Sequence, residues 1–482
     1  MFTANLAARA SGIIALALLS RFLSVEELGV YSLIFWVVLS GTAIAKLGCD
    51  ISLHRNGARL YKSDPEAVSR LLGVGITLML LSFALAGSII YVFRVPLSDF
   101  WLGNSDVSSW LQYGALALLF EGLGVTFTTC LLAFHQFKAR SLAITLGAFA
   151  RLLLVPALAF FYGVSGALIG FCMASFVQAV VAIYGFRQAI ANRNISLSLT
   201  HFWREAKDIF AFGLPYYVGD ASIGLFYLPV MGELRQAAGL EALGYLRIAQ
   251  SMSQLIGFLP AAIAPVVISL LSEAHGSDDK DFEKLRSIHL RSNWLLALVM
   301  VTFVSAAAPS IITVMFGAKY LPAVPLLIGM CWGTLVSVVA RNLNVYSISA
   351  GNTKLVSMGA ISEKVTFISS AMWSIQRFQG MGFVMSRLVA LVLQCIVMLF
   401  GLWHSFNAKL KQDIYALLGV SLAAAVISNA FSVWGLSILM NGIGGGAIAL
   451  VTVVVATVLV FSRCEMHSLH GYVLRQSLRF RS

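Results

Sequence analysis

The sequence predicts an all-α integral membrane protein, and three observations carry that prediction. Hydrophobic residues make up 59% of the 482 residues and the mean hydropathy is +0.86, more apolar surface than one soluble core can bury. Runs of about 20 apolar residues, the length that crosses a bilayer, recur along the chain. The alternating pattern of a membrane-spanning sheet does not occur in the sequence, so the backbone is expected to satisfy its hydrogen bonds as helices.

The apolar runs predict fourteen transmembrane helices. The first twelve are expected to form two six-helix bundles, at residues 1–195 and 205–405, followed by an additional helical pair at 413–462 and a basic tail at 463–482. The first run has no basic residue before Arg9, so it is interpreted as a retained helix and not as a signal peptide. The predicted spans are 3–22, 29–53, 70–93, 109–134, 142–162, 164–186, 208–231, 245–271, 293–316, 323–349, 356–375, 382–404, 415–437 and 443–462.

The distribution of basic residues predicts the orientation. With a cytoplasmic N-terminus, 21 of the 33 Lys and Arg residues fall in inside segments and five in outside loops, which predicts both termini in the cytoplasm. Most of the +12 net charge then serves insertion and contact with anionic membrane lipids. No nucleic-acid partner is expected, because no basic soluble domain remains. The six cysteines have no metal or disulfide spacing, so no metal or other cofactor is expected.

An internal repeat relates the two bundles. The segment EELGVYSL at 26 matches EALGYLRI at 241, an offset of 215, and HQFKARS at 135 matches GNTKLVS at 351, an offset of 216. At the same offset, SGALIG at 165 corresponds to MGFVMS at 381. Six predicted crossings, an even number, separate the copies, so the two six-helix repeats are expected to be parallel and related by an axis along the membrane normal.

Four short motifs resemble those of a known family. They are RFLSVEELGVY at 21, YGVSGALIG at 162, FGAKYLPAVPLL at 316 and AGNTK at 350, and they are similar to the polysaccharide transport group of the multidrug/oligosaccharidyl-lipid/polysaccharide exporter superfamily, which includes the Wzx-type O-antigen flippases. The resemblance implies two bundles around a central cavity in the bacterial inner membrane. It also implies transport by alternating access of an undecaprenyl-diphosphate-linked oligosaccharide, an O-antigen or exopolysaccharide repeat unit, from the cytoplasmic to the periplasmic leaflet. Polysaccharide polymerase machinery and a proton or sodium gradient are further candidate partners.

Charged residues within the predicted spans suit such a cargo. Each costs a few kcal/mol or more at membrane depth unless it faces protein or water, so their number indicates a hydrated cavity. The cations exceed the anions by three, which suits a diphosphate. The cations are Arg9, Lys46, Arg151, Arg247, Arg341, Lys364 and Arg387, and the anions are Asp50, Glu121, Asp220 and Glu363.

Six of these residues are the candidate site. Contacts to phosphate or acidic sugar are predicted for four cations, since Arg can hold phosphate oxygens bidentately: Arg9, Arg151, Arg341 and Lys364. Asp220 and Glu121 are candidates for proton or sodium coupling, and salt bridges with these arginines are the alternative. Lys46 and Asp50, one turn apart within the span 29–53, are expected to form a structural ion pair.

Three other functions remain open at this point. A multidrug or toxic-compound exporter would share the two bundles and the coupling carboxylates, but its commonly cationic drugs suit a cationic cavity poorly. A membrane scaffold of a polysaccharide assembly complex would require the embedded charges to be paired around a dry interior. An enzyme is disfavoured, because no Walker A loop follows a strand and the longest outside loop is only about residues 94–108.

Overall fold

The computed structural model describes residues 2–60, 64–102, 108–193, 195–258, 260, 279–349, 352–406, 408–433, 447–448 and 450–452. All secondary structure in these ranges is helical, which confirms the predicted fold class. Two 3-10 turns lie at Ala318–Ala323 and Trp403–Ser405. The α-helices are α1 (Phe2–Phe22), α2 (Val25–Ala45), α3 (Cys49–Leu60), α4 (Pro65–Val92), α5 (Arg94–Leu102), α6 (Ser108–Ala133), α7 (Phe137–Ala191), α8 (Phe202–Ile256), α9 (Asp279–Ala306), α10 (Ala308–Met315), α11 (Val324–Ser349), α12 (Thr353–Leu402) and α13 (Ala408–Val433).

Eight helices within the described ranges are long and apolar enough to cross a membrane. Within the connection predicted outside the membrane at 94–108, residues Arg94–Leu102 form the short helix α5. Of the additional helical pair, α13 corresponds to the span 415–437, whereas most of the span 443–462 and the whole tail 463–482 lie outside the described residues.

Three helices are each long enough for two crossings and are divided by a sharp kink. Helices α7 and α8 have 55 residues each and α12 has 50, whereas about 20 suffice to cross a bilayer. The kinks lie at Gly163, Gly239 and Gln379, all with positive φ. The chain folds back at each, because residues on either side touch. A Cβ on Gly166 would overlap the carbonyl oxygen of Leu158, and one on Gly382 would overlap that of Ser374. Across the third kink, the Gln250 amide donates to the Tyr227 hydroxyl. The kinks confirm the predicted boundaries between these pairs of spans.

The chain forms two compact units, and their bounds differ from those of the predicted bundles. Unit 1 comprises Met1–Ser251, Met315–Leu326 and Lys364–Arg387, and unit 2 comprises Met252–Val314, Leu327–Glu363 and Leu388–Ser482. The division into bundles at 1–195 and 205–405 follows the repeat and stays a prediction.

Unit 1 contains reciprocal contacts between repeat-related residues. A Cβ on Gly29 would overlap the carbonyl oxygen of Leu240, and a Cβ on Gly244 would meet the carbonyl oxygen of Val25. Gly29 and Gly244 are 215 residues apart, and so are Val25 and Leu240, so the repeat relates the two contacts. Only glycine lets two helix backbones approach so closely, so the Leu-Gly of both matching segments serves helix crossing.

The same relation holds for a second pair of contacts in unit 1. The Ser20 hydroxyl donates to the Phe316 carbonyl (3.3 Å), and the Arg235 guanidinium donates to the Phe100 carbonyl (2.9 Å). Ser20 and Arg235 are 215 residues apart, and Phe100 and Phe316 are 216 apart. These paired contacts support the predicted repeat.

The charged turn before α2 is explained by helix capping. The Ser24 hydroxyl accepts a hydrogen bond from the Glu27 amide (3.1 Å), and the Glu27 carboxylate accepts one from the Ser24 amide (2.7 Å). This reciprocal capping box satisfies two donors that the first helical turn would leave unpaired. Glu27 is therefore needed to start α2, independently of any role in transport.

Unit 2 is held by a buried polar network between α9, α11 and α13. Arg291 of α9 forms a buried ion pair with Asp413 of α13, and the Trp294 indole donates to the Ser421 hydroxyl at 3.1 Å. On the other side of α9, the Asn293 amide donates to Asn342 of α11 at 3.1 Å. The first helix of the additional pair is thus tied to unit 2 by polar contacts as well as by apolar packing.

Candidate functional site

Unit 1 encloses a cavity that gathers several of the embedded charges. Its volume is about 460 Å³, and its wall is built by α2, α3, α6 and α7. Three cations, two carboxylates and one histidine line it together with threonines and apolar side chains. The charged and titratable lining residues are Lys46, Asp50, His54, Glu121, Arg140 and Arg151.

One part of the wall depends on a break in the second predicted span. The span 29–53 was predicted as one helix, and this was wrong: α2 ends at Ala45 and α3 begins at Cys49. Between them, Leu47 and Gly48 adopt positive φ, 52° and 73°. A Cβ on Gly48 would overlap the backbone of Gly213, so tertiary contact with α8 requires a glycine there.

The break leaves the predicted Lys46–Asp50 ion pair intact. The Lys46 ammonium and the Asp50 carboxylate lie 3.6 Å apart, and their side chains are 24% and 22% exposed. The pair was expected inside one helix, whereas Lys46 actually caps α2 and Asp50 lies in the first turn of α3. A carboxylate near a helix N-terminus also interacts favourably with the helix dipole.

The predicted residues Glu121 and Arg151 meet in the cavity wall. The Arg151 guanidinium donates to Glu121 Oε1 at 2.7 Å, and the Ser175 hydroxyl donates to the same oxygen at 2.9 Å. Arg151 also lies over the Phe171 ring, 4.7 Å from its centre. A charge-assisted hydrogen bond, a hydroxyl donor and a cation–π contact together hold both side chains in place. The sequence had left Glu121 open between ion coupling and a salt bridge, and it is in a salt bridge here.

Arg140 and His54 also line the cavity, and neither was predicted from the sequence as a site residue. Arg140 was counted only among the basic residues of a cytoplasmic segment. Burial lowers the pKa of His54 below its usual value, the charges of Arg140 and His135 lower it further, and Asp50 opposes them. His54 is therefore neutral at pH 7. The repeat distinguishes Arg140 in the sequence: its counterpart at an offset of 216 is Val356, so the positive charge is present in only one of the two copies.

The other four predicted site residues lie elsewhere or outside what is described. Arg9 is exposed on α1, and the Arg341 guanidinium donates to the Gly257 carbonyl within unit 2 at 3.4 Å. Lys364 is half-buried on α12, and Asp220 belongs to α8 but its side chain is not described. Arg9, Arg341 and Lys364, the three with described side chains, do not line the cavity of unit 1, and the predicted roles of all four stay predictions. Among the described residues, no cluster of His, Cys, Asp or Glu has the geometry of a metal site.

Solved structures with a similar fold are flippases and transporters. The lipid II flippase MurJ in an inward closed conformation has a TM-score of 0.73 and 15% identity over 95% of this chain and 97% of that chain. An inward-facing MATE family multidrug resistance transporter of the MOP superfamily has a TM-score of 0.67 and 16% identity over 84% and 96%. A MOP superfamily transporter from Pyrococcus furiosus has a TM-score of 0.57 and 15% identity over 85% and 94%. At these identities the likeness shows the fold alone.

Family membership comes from a separate comparison. No curated protein sequence matches the chain. The family model described as "Polysaccharide biosynthesis protein" matches residues 18–325, which is more than half of the 482 residues. The chain therefore belongs to the polysaccharide biosynthesis protein family and is a multi-pass membrane protein with the fold of MOP superfamily transporters.

Proposed function

We propose that this protein is a flippase that moves a lipid-linked oligosaccharide across the membrane by alternating access. The cargo would be an undecaprenyl-diphosphate-linked repeat unit of O-antigen or exopolysaccharide, moved from the cytoplasmic to the periplasmic leaflet of the bacterial inner membrane. The family and the MurJ-like fold support this class of function. Both termini would then lie in the cytoplasm, as the positive-inside distribution predicts.

The observation that carries the proposal is the charge of the unit 1 cavity. Three cations, Lys46, Arg140 and Arg151, and two carboxylates, Asp50 and Glu121, line this cavity of about 460 Å³, so with His54 neutral its lining has one excess positive charge. A charge at membrane depth is costly unless it is paired or hydrated. An anionic diphosphate would compensate the excess, whereas a cationic drug would add to it.

The pairing of Glu121 with Arg151 bears on energy coupling. A coupling carboxylate must take up and release a cation or proton during transport. Because Arg151 and Ser175 already compensate Glu121, that residue is a less favourable coupling group than it was from sequence. Asp220 remains the carboxylate to test for proton or sodium coupling, with polymerase machinery as a separate partner to test by co-purification.

Complementation with a charge-matched pair of variants tests the proposal. The host is a bacterium that lacks its own flippase for a glycan it otherwise makes, and surface glycan and accumulated lipid-linked units are measured at equal membrane levels. Thr129, a buried lining residue of α6, is changed to Glu and, as the control, to Gln. We expect Thr129→Glu to reduce surface glycan about tenfold relative to Thr129→Gln, since a like charge near the diphosphate costs more than about 1 kcal/mol.

Equal glycan levels in these two variants, with wild type active, would contradict a cationic translocation path. The multidrug exporter is the second candidate, favoured by the MATE-like fold and by the carboxylates in the cavity. For such an exporter, Thr129→Glu should have the opposite effect on transport: resistance to a lipophilic cationic drug would be preserved or increased. Wild type would restore no glycan in any host tested. Glycan restoration without drug resistance would exclude it.

A further inference from the structure

The ion pairs inside the unit 1 cavity leave one lining cation without a carboxylate. Lys46 pairs with Asp50 at 3.6 Å and Arg151 pairs with Glu121 at 2.7 Å. Arg140 lines the same cavity, and no carboxylate of the described chain forms an ion pair with it. The excess positive charge of the cavity is therefore located on Arg140.

The surroundings of Arg140 also favour an anion. Its buried Nε, like that of Arg151, has no hydrogen-bond partner within the described ranges, and an unmade hydrogen bond at a buried donor is unfavourable. The residue lies in the first turn of α7, where no acidic side chain is present, so the positive end of the helix dipole adds to its charge. A guanidinium presents a planar fork of donors that matches phosphate oxygens.

Helix packing does not explain an arginine at this position. At the repeat offset of 216, Lys138 corresponds to Lys354 and Ser141 to Ser357, but Arg140 corresponds to Val356. The two copies thus share the helix start and differ at the cavity-lining position. Arg151 likewise corresponds to Phe367, so both cavity arginines belong to the first copy only, and the ion pair with Glu121 is what distinguishes Arg151 from Arg140.

We propose that Arg140 is the phosphate-binding residue of the unit 1 cavity, and that Arg151, held by Glu121 and Phe171, positions the cavity wall instead. The ligand chemistry is a phosphate or diphosphate ester carried by a lipid. This rests on the proposed function only in naming the carrier as a lipid-linked oligosaccharide. The phosphate of an anionic phospholipid headgroup presents the same chemistry.

Binding of inorganic pyrophosphate to the purified full-length protein in detergent tests this assignment by calorimetry. The variant is Arg140→Val, which copies the repeat counterpart, and Arg140→Lys keeps the charge without the fork. Lys138→Gln is the matched control, since Lys138 lies in the same turn, is exposed, and does not line the cavity. We expect Arg140→Val to weaken binding about tenfold or more, because charge-assisted hydrogen bonds are lost, Arg140→Lys to be intermediate, and Lys138→Gln to match wild type.

Two outcomes of the calorimetry would overturn the assignment. Wild-type affinity in Arg140→Val would show that the anion binds elsewhere, and equal weakening in Arg140→Val and Lys138→Gln would show a general surface-charge effect. Arg151→Gln is expected to lower the melting temperature more than Arg140→Val does. A specific loss of pyrophosphate binding in Arg151→Gln with an unchanged melting temperature would reverse the two roles.

Lipid nanodiscs then distinguish the two sources of phosphate. If phosphatidylglycerol in the nanodisc weakens pyrophosphate binding by wild type, the headgroup occupies the Arg140 site; if added undecaprenyl diphosphate does so and phosphatidylglycerol does not, the lipid-linked diphosphate is the ligand. If the lipid-linked diphosphate is the ligand, full glycan restoration by Arg140→Val would overturn the assignment and leave the proposed function standing. Arg140-dependent pyrophosphate binding by a wild type that restores no glycan would support the assignment and remove the proposed function.

Discussion

Helices α7 and α12 are copies of one element, and they differ where α7 lines the cavity. Both fold back at a kink, at Gly163 (φ 57°, ψ −139°) and Gln379 (φ 51°, ψ −127°), which lie 216 residues apart. Before the kink, however, Arg140 and Arg151 of α7 correspond to Val356 and Phe367 of α12. The backbone kink is present in both copies, whereas the two arginines are present only in α7. The comparison separates the requirements of the fold from the residues that make the cavity cationic.

The largest effect should come from breaking the shared turn. A Cβ on Gly166 would overlap the carbonyl oxygen of Leu158, and one on Gly382 would overlap that of Ser374. These two contacts are related by the repeat offset of 216. Each overlap is with backbone, which cannot move away from an added Cβ as a flexible side chain can. We expect Gly166→Ala and Gly382→Ala each to destabilise the protein by about 3 kcal/mol, measured by thermal unfolding in detergent.

The control for both is Gly12→Ala in α1, where an added Cβ would meet no described atom within 4 Å outside the adjoining residues and backbone of α1 itself. It should be neutral or slightly stabilising, because Ala is the better helix former. A Gly166→Ala variant as stable as Gly12→Ala would show that the turn is not the tight shared element described above.

The two kink residues allow a reciprocal exchange. Positive φ with strongly negative ψ suits glycine and strains other residues by about 1–3 kcal/mol. Gln379→Gly should therefore raise stability by about 1 kcal/mol, and Gly163→Gln should lower it by about 1–3 kcal/mol. Changes of the same sign in the two variants, read from their melting temperatures, would be inconsistent with a common kink geometry.

A double-mutant cycle tests the ion pair that has no repeat counterpart. The side chains of Arg151 and Glu121 are 29% and 17% exposed, so their pair is partly hydrated. We expect Arg151→Gln and Glu121→Gln each to cost about 1–2 kcal/mol, with a coupling of about 1 kcal/mol in the double variant. Strict additivity would indicate that the two side chains do not interact.

The smallest effect concerns pH and His54. Because the pKa of His54 is lowered in the folded protein, the unfolded chain binds a proton near pH 6 that the folded chain does not. Stability should therefore fall as the pH decreases from about 7.5 to 5.5, with His54 contributing less than about 1 kcal/mol. His54→Gln should flatten this dependence, and a steeper dependence in that variant would contradict the lowered pKa.

Much of the fold was predictable because its causes are local or compositional. The apolar runs located the boundaries at Gly163, Gly239 and Gln379, and the repeat offsets related Gly29 to Gly244 before any contact was known. The break at Leu47 and Gly48 was not predictable, because the backbone of Gly213, far along the chain, requires it.

The candidate site was predicted only in part. Glu121 and Arg151 were selected because charges are expensive at membrane depth, and they do meet at 2.7 Å. Arg140 was counted only among the basic residues of the inside segments, because it lies between the predicted spans 109–134 and 142–162. Arg9, Arg341, Lys364 and Asp220 keep their predicted roles as hypotheses.

The sequence by itself determined the membrane environment, the helical class and the twofold repeat, because hydropathy and spacing follow directly from the order of residues. Only the tertiary structure decided which charges share a cavity and which of them are already paired. Helical spacing shows which residues share one face of a helix, but not which helix that face meets. Whether an arginine compensates a neighbouring carboxylate or is available to an anion depends on that neighbour, and Arg151 and Arg140 differ in this respect.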